Sequence, residues 1–336
     1  ILHERGTTFA RRMGIAARFL GSFGSTLAAR VRRGPRLPSW SLFFETSIEF
    51  LRRTARVASG RPPLEQRAIW AELKPPPSPS AKEVRRTPVD AGGVRGEWVE
   101  PREGHSGAVV LFLHGGSFIY GSLVSHGEMI ERIALASGAR VLALDYRLAP
   151  EHVFPTAIDD VVTAYGWLRA QAVAPAKVVL AGDSAGGNLA VTALLRLRER
   201  GEPMPAGSVP ICPWVDLTRT GGSLVAHERY DWGFVDDFPR WAETYAPGVD
   251  HRGPLVSPLF ADLAGLCPLS VLYGEREMLF DQVTDFVARA KAAGVDVTAE
   301  VYPDMVHNWL TLPRFTPQAG RAYERIGAFV RRVTGT

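Results

Sequence analysis

LAGDSAGGNLAV, residues 180–191, places one serine between glycines in a segment that enters as an apolar β-run and leaves as a helix. Upstream, Lys177-Val178-Val179-Leu180-Ala181 is short and rich in β-branched residues. Downstream, Leu189, Val191, Ala193, Leu194, Leu195 and Leu197 suit a buried helix. Gly182-Asp183-Ser184-Ala185-Gly186 therefore reads as a sharp strand-to-helix turn with Ser184 at its apex. Such a turn holds a nucleophile strained and exposed, with glycines where side chains would strike the neighbouring strand and helix. The N–H groups at the helix start can receive negative charge. An ordinary Gly/Ser turn has the same five residues, so the rest of the chain must decide.

Working outward, strand-like runs fall at Val84–Val89, Gly96–Glu100, Val109–Leu113, Arg140–Leu144, Lys177–Ala181, Val209–Cys212, Leu269–Tyr273 and Thr298–Tyr302. Helix-like stretches at about 125–137, 156–171, 187–200, 280–293 and 316–332 alternate with them. Strands alternating with helices predict an α/β fold, a mostly parallel sheet with helices on both faces. Sites in such sheets form beyond the carboxyl ends of the strands. A chain of 336 residues, 46% hydrophobic and 22% charged, has room for one such domain with a cap.

The strand ends carry the chemistry. Val109–Leu113 runs into His114-Gly115-Gly116-Ser117-Phe118, a glycine-rich turn whose N–H groups can approach a ligand. Gly116 and Ser117, with Ala185 and the adjoining Gly115, would form an oxyanion hole for a carbonyl attacked by Ser184. A phosphate loop is the competing reading, but no Lys-Ser/Thr pair follows. A serine needs a base, and the imidazole needs an orienting acid. Three histidines follow Ser184, and of these only His307 stands just past a strand, in Tyr302-Pro303-Asp304-Met305-Val306-His307; His227 and His251 lie in a Trp- and Tyr-rich insertion. The acid should follow Leu269–Tyr273, where Glu275, Glu277 and Asp281 compete. Glu275 is close to the strand end and Asp281 belongs to the next helix, so position selects Glu277.

HGGSF, GDSAGG and Asp145-Tyr146-Arg147-Leu148-Ala149-Pro150-Glu151-His152-Val153-Phe154-Pro155, followed by Ala157 and Asp159-Asp160, together resemble the hormone-sensitive lipase family of α/β-hydrolases, the class IV bacterial esterases. The resemblance covers roughly residues 85–335. It implies an eight-stranded, mostly parallel sheet, a helical cap, a Ser184–His307–Glu277 triad and no metal or organic cofactor. Two positions depart from the family pattern: Glu277 stands where Asp is usual, and Ser117 where Gly is usual. Either carboxylate serves in such triads. Ser117 still offers its N–H if the turn does not force it to a positive φ. Asp145, Arg147, Glu151, Asp159 and Asp160 read as ion-pair residues bracing the loops.

The implied activity is carboxylic ester hydrolysis through an acyl-enzyme, on short- to medium-chain or hydrophobic esters. An acyltransferase or peptidase would use the same triad. A small-molecule receptor on this fold would lack the working histidine, which is present here. Phe118, Trp214, Trp232 and Phe234 are the expected substrate contacts, with Tyr230, Phe238 and Trp241 nearby in the insertion.

Residues 1–61 hold 12 Arg and 3 Glu with no Lys or Asp, a charge of +9 in a chain of net +4. No apolar run approaches a membrane span or a secretory signal. Trp40–Leu51 reads as an amphipathic helix whose aromatics pack on the protein. Peripheral contact of this basic end with a membrane and a homodimer stay open, whereas no nucleic-acid module is recognisable. The run Pro75-Pro76-Pro77-Ser78-Pro79-Ser80 breaks helix and marks a linker. The expected domains are an N-terminal helical cap segment and linker, 1–80, and a catalytic domain, 81–336, with 217–250 as a second cap insertion. Cys212 and Cys267 form no disulfide framework and have no metal-ligand spacing with histidine, so a cytoplasmic, reducing setting is expected.

Overall fold

The computed structural model describes residues 2–73, 75, 77–219 and 221–336, with side chains from Gly14 onward. All eight expected strands are present: β1 (Val84–Asp90), β2 (Arg95–Pro101), β3 (Val109–Leu113), β4 (Arg140–Leu144), β5 (Val178–Asp183), β6 (Gly207–Ile211), β7 (Leu269–Gly274) and β8 (Val297–Tyr302). They form one sheet in the order β1-β2-β4-β3-β5-β6-β7-β8. β1 and β2 run antiparallel to each other, β2 runs antiparallel to β4, and the rest are parallel.

Helices α4 (Gly127–Ser137), α5 (Thr156–Ala170), α6 (Ala185–Glu199), α9 (Phe280–Ala292) and α10 (Pro317–Thr334) cover the sheet. Strand alternation divides the core between them. Leu111, Leu113, Leu142, Leu180 and Val271 face α5, α6 and α9, while Val110, Phe112, Val141, Val179 and Leu272 face α4 and α10. Burial on both faces makes the central strands read as continuous apolar runs, as buried parallel strands do.

The N-terminal part differs from expectation. Three helices precede the sheet: α1 (Leu2–Arg33), α2 (Leu42–Ala58) and α3 (Pro63–Ala71). The helix expected over Trp40–Leu51 starts at Leu42, because Ser41 caps it by accepting from the Phe44 N–H, and it continues to Ala58. Trp40 stands outside it, buried, its indole N–H donating to the Asp304 carbonyl at 2.7 Å. Phe44 and Ile48 are buried with it on the α4/α10 side of the sheet. Of the proline run, Pro76 lies outside the described residues; Pro75, Pro77 and Ser78 carry no regular structure before a 3₁₀ turn at Pro79–Lys82.

Between β6 and β7 the insertion holds two short helices, α7 (Ser223–Ala226) and α8 (Phe238–Tyr245). It packs on the N-terminal helices: Ser59 Oγ donates to Asp237, the Trp241 indole to Gln66, and Trp70 meets Trp232 edge to face. The expected ion pairs also form, Arg147 with Asp160, Arg67 with Glu151, Arg95 with Asp145 and Arg200 with Asp159.

Gly327 sets the approach of α10 to α4, because a Cβ there would lie 2.1 Å from the Ala136 carbonyl oxygen. Gly327→Ala should therefore destabilise by about 1–3 kcal/mol through overpacking. Gly320→Ala, in the same helix with nothing within 4 Å of its Cβ, should be neutral or stabilising. Thermal unfolding of the two variants checks the contrast.

Candidate active site

Asp183 ends β5 and Ala185 begins α6, so Ser184 alone makes the turn. Its backbone sits at φ 55°, ψ −117°, a conformation that costs a non-glycine residue about 1–3 kcal/mol. Two bonds hold it there: the Ser184 N–H donates to the Ile211 carbonyl at 2.8 Å, and its carbonyl accepts from the Trp214 N–H at 3.1 Å. Gly186 is required for closeness, since a Cβ there would fall 2.0 Å from the Leu113 oxygen.

His307 lies on the loop after β8, with its Nε2 2.9 Å from Ser184 Oγ. Its Nδ1 is 3.5 Å from Oε2 of Glu277, a fully buried carboxylate on the loop between β7 and α9. Burial pulls the His307 pKa down, but Glu277, with Asp231 and Asp183 behind it, outweighs this and holds it above the ordinary histidine value. The other candidate acids are occupied elsewhere. Glu275 accepts from the Asp304 N–H, and Asp281 accepts from the Ser223 N–H. Asp281 therefore tethers the start of α7 to α9 instead of capping its own helix, because the insertion folds back over it.

Beneath the nucleophile, the buried Asp183 carboxylate collects three donors. They are the Gly115 N–H at 3.0 Å, His126 Nε2 at 3.2 Å and the Asn308 amide at 2.7 Å. Gly115 is thus corrected as an oxyanion donor: its N–H is already committed to Asp183. Gly116, Ser117 and Ala185 are the donors left of the expected four. Against the condition set on it, Ser117 is forced to positive φ, at 53°, and Phe118 follows at 62°; the cost is conformational strain, which leaves the Ser117 N–H itself in place. Burial pushes the His114 imidazole down to about 4, so it is neutral, with Nδ1 2.8 Å from the Gly115 oxygen.

The expected aromatic contacts separate. Trp232 lies against His307, ring centroids 6.0 Å apart, and its indole N–H donates to the His307 carbonyl. Phe118 is buried because it stacks on Tyr245 at 3.7 Å, and Trp214 because its indole N–H is satisfied by the Asp216 carbonyl. Phe234 sits under the guanidinium groups of Arg52 and Arg56. Trp70 and Tyr120, stacked at 5.4 Å, join Trp232 in the same aromatic cluster.

Cys212 follows β6, and its thiol, Glu277 and His307 have ligand atoms within 4.8 Å of one another. Burial and the Glu277 charge push that thiol well above the usual range. It is a protonated neighbour of the carboxylate.

A family model described as alpha/beta hydrolase fold matches residues 110–311. An acetyl-hydrolase of Streptomyces hygroscopicus is 43% identical over 249 residues, covering 74% of this chain and 83% of its own. An esterase of Acinetobacter venetianus is 32% identical over 306 residues, covering 86% and 96%. A crystal structure of an esterase from the bacterial hormone-sensitive lipase family superposes with a TM-score of 0.79 at 38% identity, covering 86% of this chain and 98% of that one. The chain belongs to the hormone-sensitive lipase family of α/β-hydrolases. It is an esterase of that family.

Several residues of this esterase's site escape sequence reasoning. Asp183 and Asn308 flank Ser184 and His307, so adjacency was the available signal. Asp231 had none: it lies in the insertion, buried, and its carboxylate accepts from the N–H groups of Trp232, Met278 and His307 at 2.8, 2.9 and 3.4 Å. Arg52 of α2 donates to the Asp231 carbonyl at 2.6 Å and also to the Glu228 carbonyl.

For Asp183, burial raises the pKa, but His126 outweighs it and leaves the carboxyl below its ordinary value; His126 in turn is held above its own by Asp183. Acidification through the depressed Asp183 pKa, or alkalinisation through the raised His126 pKa, removes the pair's contribution. Its full effect lies between about pH 4 and 6.5. Asp183→Asn should therefore lose about 3–5 kcal/mol of unfolding free energy there. Urea unfolding at a series of pH values should show the gap to the native protein narrowing on either side.

Proposed function

We propose that the esterase hydrolyses short- to medium-chain or hydrophobic carboxylic esters through an acyl-enzyme on Ser184. The observation carrying this reading is the chain of contacts Ser184 Oγ–His307 Nε2, 2.9 Å, and His307 Nδ1–Glu277, 3.5 Å. His307 takes the serine proton as Oγ bonds to the ester carbonyl carbon. The carbonyl oxygen becomes negative and rests on the N–H groups of Gly116, Ser117 and Ala185, helped by the positive end of α6. Collapse breaks the C–O bond, and His307 returns the proton to the departing alcohol. Water, deprotonated by the same imidazole, then releases the acid. Residues 1–80 and 217–250 form the cap, whose Trp70 and Trp232, with Tyr120 from the connection between β3 and α4, supply an apolar wall for the acyl chain or alcohol. Two buried free thiols fit a reducing cytoplasm.

A panel of p-nitrophenyl esters of increasing acyl length, with and without a serine-directed organophosphate, tests the reading. Ser184→Ala should abolish turnover with the fold intact. Glu277→Gln should lower kcat by about 10⁴-fold, the scale seen when a triad acid becomes an amide. Glu275→Gln should stay within about tenfold, since an acid outside the triad does not set the imidazole tautomer. Because His307 must be neutral to act as base and its pKa is raised, kcat/KM should rise with pH through a limb above the ordinary histidine value. Removing the Glu277 charge destabilises the imidazolium, so any residual activity of Glu277→Gln should show that limb at lower pH.

A second reading concerns the basic end. We propose that the outward face of α1 rests on an anionic lipid surface. Among the described residues from Gly14 to Val31, every exposed one is uncharged, with Leu20, Leu27 and Val31 prominent. Arg18 and Arg30 turn inward, to Thr54 and Glu45. Arg32 and Arg33 follow this face at the end of the helix, both exposed, so a second copy packed here would bring like charges together, whereas anionic headgroups complement them. Among the described residues no helix is long and apolar enough to cross a membrane. The protein should cosediment with phosphatidylglycerol vesicles at low salt and not with phosphatidylcholine, and Leu27→Glu should release it. A dimer that Leu27→Glu dissociates, with no vesicle binding, would replace this reading.

A further inference from the structure

We infer that Asp231 is a positioning residue of the esterase reaction, through which the cap insertion holds the acid and base loops in register. The inference rests on the triad reading above and goes beyond it, since Asp231 touches neither the reacting bond nor the imidazole ring nitrogens. One carboxylate oxygen, Oδ2, accepts from the Met278 N–H, immediately after Glu277, and from the N–H of His307 itself. The other accepts from Trp232, whose ring and indole N–H lie against His307. A single buried side chain thereby ties the backbone right beside Glu277 to that of His307, at the catalytic end of two loops that also meet lower down, where the Arg276 N–H donates to the Met305 carbonyl at 2.8 Å and the Asp304 N–H to Glu275. Three N–H donors call for a carboxylate that is acceptor-only, which is its ionised form.

The link continues outward. Arg52 of α2 bonds the carbonyls of Asp231 and Glu228 and pairs with the Glu228 carboxylate at 3.7 Å. The N-terminal helices thereby grip the same insertion turn whose side chain grips the triad loops. Both carbonyls accept from Nη1 while Nη2 faces the Glu228 carboxylate, and this spread of three acceptors around a planar guanidinium is one that the compact ammonium of lysine reproduces poorly.

Asp231 also acts as charge. His307 is faced by Glu277 from the β7–α9 loop, by Asp231 from the insertion, by Asp183 from the end of β5, and by the neutral Cys212 thiol and Ser184 hydroxyl. Replacing Asp231 by Asn keeps the volume, removes one of three negative charges near the imidazole, and leaves an amide that cannot accept on both arms.

The test uses the full chain and p-nitrophenyl butyrate. Asp231→Asn should lower kcat by about 10- to 100-fold, the scale of a displaced catalytic geometry, with KM within about threefold. The limb of kcat/KM set by His307 should move to lower pH. Arg52→Lys should give a smaller loss in the same direction, and it serves where Asp231→Asn fails to fold. Asp236→Asn, on an 88% exposed cap carboxylate, is the control and should match the native enzyme. Labelling by an organophosphonate separates the two readings: Ser184→Ala should take no label, while Asp231→Asn should label to completion, more slowly. Native kcat and an unmoved pH limb in folded Asp231→Asn, or in Arg52→Lys where that variant replaces it, would overturn the inference. If Ser184→Ala keeps turnover and label, the triad reading itself has failed.

Discussion

The site depends on one buried carboxylate. Asp183 is fully enclosed, and an anion there is tolerated because three donors converge on it from both ends of the connection between β3 and α4 and from the loop after β8. Gly115 brings the loop after β3, His126 the segment leading into α4, and Asn308 the loop after β8. The acceptor and two of its donors are immediate neighbours of site residues: Ser184 beside Asp183, Gly116 beside Gly115, His307 beside Asn308. Ser184, His307 and the glycine-rich loop are thus registered against a single atom group. Strain at Ser184, Ser117 and Phe118 is sustained by that convergence, since isolated loops would relax out of such conformations.

A second carboxylate repeats the device one layer up. Asp231 gathers the loops that carry Glu277 and His307, and it belongs to the insertion, not to the sheet domain. The two carboxylates thus both act on the imidazole, one rooted in the sheet and one in the insertion between β6 and β7. Burial alone would depress the imidazole's basicity; the surrounding carboxylates reverse that sign.

Much of this was legible in the residues. The five central runs, Val109–Leu113 to Leu269–Tyr273, became strands because strands buried on both faces need no polar alternation, and Leu111 or Val179 has one role only. Ser184, His307 and Glu277 stood at strand ends, where the fold leaves backbone and side chains unpaired, so position could single them out. Elsewhere periodicity had less to say. α1 is long, but its glycines, alanines and scattered arginines give no clear apolar stripe, since the face it turns outward is itself uncharged. Asp231 and Arg52 were invisible because their significance is a contact across about 180 residues, between segments that carry no motif. Phe118 and Trp214 were expected as substrate contacts; stacking and an internal carbonyl partner bury both.

The span between Asp183 and Asn308 has a consequence for the order of synthesis. The two residues stand 125 positions apart. At ribosomal rates of about 5–20 residues per second, the elbow strand waits roughly 6–25 s for the segment that completes its anion shell. Until β8 and its loop emerge, Ser184 lacks the imidazole that lies 2.9 Å from its hydroxyl, and its strained turn lacks one of its braces.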